Sequence, residues 1–386
     1  MDVLKWGCMK QWGTLWRAVN PLIGSVIGVG MFWIPYVFSQ AGFVIGMTHL
    51  IVIGIANLVI LLLYADIIMN TEGKARLTGI VRRYLGPGYG HLSTLLLFGS
   101  SWGAMIAYVI IGGGFLHALL SPFLPASLFV FQLLFFFVFS FLLIGGLGFV
   151  SRIESIFVGV LLILLFVLIV SALPYVEFDH LTTITTSHWF TPFGVILFAY
   201  GGLAAIPEMA HILGNKHKHR LRQAVFVGMG IVAVVYALFA TIILAVTGEN
   251  TSMEAIAGLG NFIGDWITVV GSLLGLFAVS TSFLLLGVSV ADTMVYDYKQ
   301  RYVLSWAITV AVPFVVFLTG ARQFIDVIGF TGGVFGGMLG LLILYTYVTA
   351  KTHVCTPKRC LQFPNWIIFL TGMVFVVGFV MTVLGK

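Results

Sequence analysis

The sequence predicts an all-α polytopic membrane protein with about eleven spanning helices, from its composition, the length of its apolar runs and the placement of its basic residues. Of the 386 residues, 60% are AVILMFWYC and only 8% are DEKR, and the mean hydropathy is +1.11. A soluble domain needs about a quarter of its residues charged, so the medium around most of this chain is lipid.

Apolar runs long enough to cross ~30 Å of hydrocarbon recur along the chain. They predict spans at Leu15–Phe38, Phe43–Met69, Leu92–Leu119, Ala126–Phe149, Ile153–Leu173, Thr191–Leu213, Leu221–Val246, Asp265–Val295, Tyr302–Thr319, Gln323–Thr349 and Trp366–Leu384. The runs are continuously apolar rather than alternating, which predicts helices and not a barrel.

Basic residues set the orientation. With the N-terminus in the cytosol, Lys5, Lys10, Arg17, Lys74, Arg76, Arg82, Arg83, Arg152, Lys216, Lys218, Arg220, Arg222, Lys299, Arg301, Lys351, Lys358 and Arg359 all fall inside. Of the 19 Lys and Arg, only Arg322 and Lys386 fall outside, as the positive-inside rule requires. The acids Glu177, Asp179, Glu249 and Glu254 fall in outer loops. The +6 net charge is therefore topology, and no nucleic-acid partner is expected. The expected location is the cell membrane, multi-pass, with the C-terminus outside. No secretory signal peptide is evident. Cys8, Cys355 and Cys360 fall on the cytosolic side, so free thiols are expected there, and a metal site with His353 is the minor alternative.

The chain reads as a single transporter domain over 1–386. Asn70–Gly90 is a basic segment suited to a short amphipathic helix, and Gly248–Gly264 is suited to cap the outer side. Gly30-Met-Phe-Trp-Ile-Pro35 and Gly202-Leu-Ala-Ala-Ile-Pro207 share a G-x-x-x-I-P pattern five spans apart. An odd offset reverses direction, as an inverted five-helix repeat would. With 45 glycines in the chain, chance remains the competing explanation of the pattern alone.

Glycine weakens a helix and proline removes a donor, so each cluster is a place for a span to break near mid-bilayer. Backbone groups freed there need a ligand or a cavity. Amides at a half-helix N-terminus suit a carboxylate, and freed carbonyls suit an ammonium or Na+. Ser280, Thr281 and Ser282 lie at the centre of the eighth span. They either bond back to their own helix or offer oxygen to a hard cation beside the first span.

Gly24-Ser-Val-Ile-Gly28-Val-Gly30-Met-Phe-Trp-Ile-Pro35 resembles the first helix of the amino acid–polyamine–organocation superfamily. Phe198-Ala-Tyr-Gly201-Gly202 with Ile206-Pro207-Glu208 resembles its sixth, and Ala278-x-x-Thr281-Ser282 followed by Asp292 its eighth. The resemblance covers nearly the whole chain and points to the amino acid/auxin permease and aromatic amino acid permease branches. It implies a leucine-transporter-like 5+5 inverted repeat, with repeat one over 15–173, repeat two over 191–349 and an eleventh helix over 366–384. Carried onto this sequence, it implies that backbone around Ser25, Val26, Gly28 and Gly30 holds the substrate carboxylate. Carbonyls of Phe198, Ala199 and Gly201 receive the α-ammonium. Phe198 would serve an aromatic gate, and Tyr108 would face the substrate unless it is an ordinary core aromatic. The implied Na+ position uses carbonyls of Gly24 and Ile27 with Ala278, Thr281 and Ser282. Some proton-coupled relatives place a lysine of the fifth helix there. Ser155–Leu173 contains none, which favours Na+ over H+ as the coupling ion.

Asp66, Glu208 and Asp292 fall in the inner parts of their spans, where carboxylates are costly. Ion pairing with the basic inner loops, as part of an intracellular gate, is the expected role, with a proton relay as the alternative. The candidate site carries no fixed charge, so a neutral amino acid is expected. Phe198 and Tyr108, with Phe32 and Trp33 as further candidates, lean the pocket toward a large apolar or aromatic one.

The expected function is a monomeric secondary active transporter that imports this amino acid by cation symport, with no cofactor besides the coupling ion. An enzyme is not expected, because His49, His117 and His211 are scattered singly over different spans. The alternatives are a transporter-like receptor, such as a germinant receptor subunit, and an uncoupled exchanger.

Overall fold

Continuously apolar sequence with no alternation folds here into helices joined by short loops. The computed structural model describes residues 2–384 apart from 74–75, 183–187, 254, 321–330, 354–360 and 362. Lys74, Glu254, Arg322, Cys355, Lys358, Arg359, Cys360 and Lys386, and the first residues of the predicted Gln323–Thr349 span, lie outside the described residues.

In chain order the helices are α1 (Asp2–Val26), α2 (Gly30–Ala41), α3 (Phe43–Asn70), α4 (Leu77–Leu85), α5 (Pro87–Leu120), α6 (Leu128–Leu142), α7 (Gly146–Ala172), α8 (Thr191–Ala199), α9 (Ala205–His217), α10 (Leu221–Thr247), α11 (Ile256–Ile263), α12 (Asp265–Tyr298), α13 (Tyr302–Leu318), α14 (Gly337–His353, entered through a π-turn at Thr331–Gly336) and α15 (Asn365–Val383). No strand occurs among the described residues.

By length and hydropathy, seven helical runs among the described residues are able to cross a membrane, or eight with the bent α1–α2 pair counted as one span. Two of these runs, Leu128–Tyr175 with 48 residues and Ala205–Asn250 with 46, are about twice the length that spans hydrocarbon. Gly146 (φ 67°) and Gly214 (φ 59°) divide them. Left-handed backbone costs glycine nothing, so each run turns back at its glycine. α4 fills the predicted amphipathic segment within Asn70–Gly90, and α11 lies within Gly248–Gly264, the segment expected to cap the outer side.

The predicted breaks are present. The first span is interrupted at Ile27, Gly28 and Val29, and its halves meet at 52°. The sixth is interrupted from Tyr200 to Ala204. Pro207 falls in the first turn of α9, where its missing N–H costs nothing.

The broken spans form the centre of the molecule. Ile23, Val26, Ile27, Val29, Ile196, Ala205 and Ile206 are buried, as are α12 residues Ala278 to Leu285. α6, α7 and α15 instead turn Phe137, Phe141, Ile163, Phe166 and Phe369 outward. An apolar exterior around a core that holds the polar groups is the arrangement a bilayer selects.

Candidate functional site

α1 ends at Val26 because Gly28 folds its amide back onto the Val26 carbonyl at 2.7 Å. In a continuous helix that amide would have served Gly24. The Gly24 and Ser25 carbonyls are thus helix-terminal acceptors without their usual donors. α12 answers them. Thr281 Oγ1 lies 3.0 Å from the Gly24 carbonyl, 2.9 Å from that of Ala278 and 3.2 Å from that of Phe277. Ser282 Oγ lies 3.2 Å from the carbonyls of both Gly24 and Ser25. Ser280 bonds back to Leu276 within its own helix, at 2.6 Å.

Two hydroxyl protons serve more oxygens than they can satisfy at once. That surplus of acceptors is the donor set a hard cation needs, and it contains four of the expected ligands: Gly24, Ala278, Thr281 and Ser282. Ser25 joins through its carbonyl. The fifth expected ligand, Ile27, sends its amide to Ile23 at 2.8 Å, and neither hydroxyl bonds its carbonyl.

The two breaks touch. A Cβ on Gly30 would sit 2.7 Å from the Ala199 Cα, so only glycine lets α2 approach the end of α8 this closely. A Cβ on Gly28 would sit 2.5 Å from Ser282 Oγ, so a side chain there would push the hydroxyl away from the Gly24 and Ser25 carbonyls. Tyr236 of α10, fully buried, ties the breaks together by donating to the carbonyls of Val26 and Ala199, the latter at 2.9 Å.

Val29, the N-cap of α2, has no side-chain cap. The Met31 and Phe32 amides turn back onto Gly28 and Val29, which leaves the Val29 and Gly30 amides as the donors a carboxylate would meet. Across the break, the Phe198 carbonyl accepts from the Gly201 amide at 3.0 Å. Gly201 itself is exposed. Tyr108 of α5 stands with its ring 6.5 Å from that of Phe198, and its hydroxyl reaches toward Ser282. Phe198 packs under Gly332. Phe32 is enclosed by Phe115 and Phe239 at 5.7 and 5.8 Å, and Trp33 by Tyr36 at 6.4 Å. These last two aromatics belong to the core rather than to the wall shared by Tyr108 and Phe198.

At the basic end, Asp292 pairs with Arg76, and Asp66 pairs with Arg222 while accepting from the Leu361 amide at 2.7 Å. Asp297 accepts from the amides of Arg76 and Gly79 at 2.9 and 2.7 Å, which holds the N-terminus of α4. Two cavities open here around His211. One, of about 370 Å³, is lined by Arg17, Arg152 and Glu208, and the other, of about 320 Å³, by Arg76, Lys218 and Tyr296. Burial holds the Lys218 ammonium below the ordinary lysine value.

Ion pairing thus accounts for Asp66 and Asp292 but not for Glu208. Neither of its oxygens has a hydrogen-bond partner among the described residues. Glu154 of α7 is in the same condition, at 1% exposure. Sequence reasoning missed Glu154, although the argument that singled out the other intramembrane acids applies to it. It also missed Tyr236, one hydroxyl in an apolar span with nothing local to mark it.

Comparison with known proteins places this architecture. The "Tyrosine-specific transport system 1" of Haemophilus influenzae is 26% identical over 360 residues, covering 87% of this chain and 88% of that protein. The "Glutamine transporter 2" of Aliivibrio fischeri is 19% identical, covering 81% and 82%. Among solved structures, MhsT in complex with L-phenylalanine superposes with a TM-score of 0.72 at 13% identity, covering 95% of this chain and 97% of that one. Mhp1, a nucleobase-cation-symport-1 family transporter in a closed conformation with bromovinylhydantoin bound, superposes with 0.70 at 12%, covering 96% and 90%. Both share the leucine-transporter-like fold expected from the sequence. Residues 13–384, nearly the whole chain, match the tryptophan/tyrosine permease family, and the protein is a multi-pass membrane transporter belonging to that family.

Proposed function

We propose that this protein imports a neutral amino acid with a large apolar or aromatic side chain, by cation symport with Na+ favoured over H+. The observation that carries the reading is the junction of the two breaks at Gly30 and Ala199, walled by Tyr108 and Phe198. Uncapped amides at the start of α2 suit the substrate carboxylate, and the end of α8 suits its ammonium. An aromatic wall without fixed charge selects a neutral apolar side chain. Tyrosine in the name of the Haemophilus influenzae relative and L-phenylalanine bound to MhsT agree with that class.

Na+ would bind at the oxygen cluster of Gly24, Ser25, Ala278, Thr281 and Ser282. Substrate and cation bound together favour closure of the outer side. The basic end, placed in the cytosol, then opens by release of the Arg76–Asp292 and Arg222–Asp66 pairs. Ligand drives this only through its different affinities for the two states.

Uptake of a labelled amino-acid panel into proteoliposomes, with Na+ and pH gradients imposed separately, tests the reading. Aromatic amino acids are expected to accumulate, driven by the Na+ gradient. Accumulation of a charged amino acid alone would overturn the substrate assignment, and accumulation driven only by the pH gradient would overturn the ion.

A further inference from the structure

The fifth span contributes a group that the mechanism above leaves unused. Glu154 lies on α7 against the end of α1. Its Oε1 is 2.9 Å from the place a Cβ on Gly24 would take, and that point is also 2.9 Å from Val158. Gly24 is the residue whose carbonyl bonds Thr281 and Ser282. The carboxyl and the oxygen cluster therefore share one wall. Glu154 is buried, and both its oxygens lack a partner among the described residues.

Glu208 of α9 shares a cavity with Ser151 and Arg152, which lie on α7 within one turn of Glu154. It is also buried and, among the described residues, without a hydrogen-bond partner, and the cavity, of about 370 Å³, also holds Arg17 and His211. Arg76 and Asp292, at the same end of the molecule, are paired with each other. The two carboxylates thus stand in series, one at the oxygen cluster and one at the cavity of the basic end.

A buried carboxylate with no hydrogen bond and no counter-ion is among the costliest groups a fold can hold. The oxygen cluster beside Glu154 offers carbonyl and hydroxyl dipoles but no formal charge. A monovalent cation there would relieve both deficits at once.

We propose that Glu154 is the charged ligand of the cation site, and that Glu208 is the next carboxylate on the cation's way to the cytosolic cavity. The inference rests on the cation-symport reading and adds to it the residue that supplies the site's negative charge. A cation held by Gly24, Thr281, Ser282 and Glu154 would bridge α1, α7 and α12. Its loss would free α7 from α1 and open the path toward Glu208.

The test is binding of radioactive Na+ to the purified full-length protein, measured apart from amino-acid uptake. Glu154→Gln is expected to weaken Na+ binding by about tenfold or more, the usual cost of losing a group that supports a metal site. Glu154→Asp keeps the charge and is expected to recover most of the affinity, which separates charge from fold. Glu208→Gln is expected to keep Na+ affinity within about twofold while slowing Na+ release into proteoliposomes, since a group off the site changes binding by only ~0.5 kcal/mol. Unchanged Na+ affinity in Glu154→Gln, with the variant monodisperse and its melting temperature retained, overturns the proposal. Wild-type protein that binds no Na+ but takes up a proton with the amino acid, a proton lost in Glu154→Gln, overturns the metal assignment too. Failure of aromatic amino acids to accumulate while Na+ still binds would count against the proposed substrate and leave this site standing.

Discussion

The breaks in the first and sixth spans start from the same G-x-x-x-I-P pattern and become different structures. The first is three residues long and fully buried. Hydroxyls of α12 stand on one side of it and Glu154 of α7 beside the end of α1. The sixth is five residues long, with Gly201 exposed and Gly202 walled by Leu22, Val26 and Leu61. Glycine and proline decide where each helix stops. The neighbours give each stop its surroundings: hydroxyl and carbonyl oxygens crowd the first, whereas the sixth is open at Gly201. Equivalent positions of an inverted repeat can thus acquire different surroundings without altering the motif that breaks the chain.

Substitutions at matched positions sharpen this contrast. The largest effect is expected from Gly30→Leu, because the space for any side chain is already filled by Ala199 backbone. Displacing α2 from α8 should cut amino-acid uptake by about a hundredfold, with the protein still monodisperse in detergent. Wild-type uptake in this variant would remove the junction of the breaks from the mechanism. Tyr236→Phe should come next. It strips the buried carbonyls of Val26 and Ala199 of their shared donor, at a cost of about 1–3 kcal/mol. A drop in thermal stability together with uptake lowered about tenfold is expected, and a variant as stable as wild type would show that the tie is idle.

The double variant Thr281→Ala, Ser282→Ala addresses the first break alone. Losing two hydroxyls worth about 0.5 kcal/mol each should raise the Na+ concentration for half-maximal uptake about fivefold while leaving the substrate preference unchanged. An unaltered Na+ response would take the cation away from this break. Gly201→Ala is the mildest. Its Cβ meets only the Phe198 carbonyl, at 3.0 Å, so uptake is expected to stay within about twofold of wild type. A loss as large as that of Gly30→Leu would erase the difference between the two breaks.

Much of this was legible in the chain itself. The span limits read from hydropathy, such as Phe43–Met69 and Leu221–Val246, differ from the helices Phe43–Asn70 and Leu221–Thr247 by a single residue. The reason is that lipid obliges every spanning backbone group to bond within its own segment, so apolar length and helix length coincide. The breaks were legible for a similar reason, because glycine and proline act on their own helix. Thr281 and Ser282 on α12 were recognisable as hydroxyls in an apolar span, although their meeting Ser25 rather than Ile27 depends on how the last turn of α1 unwinds.

What the sequence by itself determined is the local chemistry: where the apolar helices run, where two of them break, and which residue types stand near the breaks. Only the tertiary structure decided the partnerships. It brought Tyr236 of α10 onto two carbonyls far apart in the chain, left Glu154 and Glu208 unpaired while Asp66 and Asp292 found arginines, and set Gly30 against Ala199. Periodicity and propensity act over a few residues of one helix. Which side chain meets which is fixed by the packing of helices remote in sequence, and no local pattern encodes it.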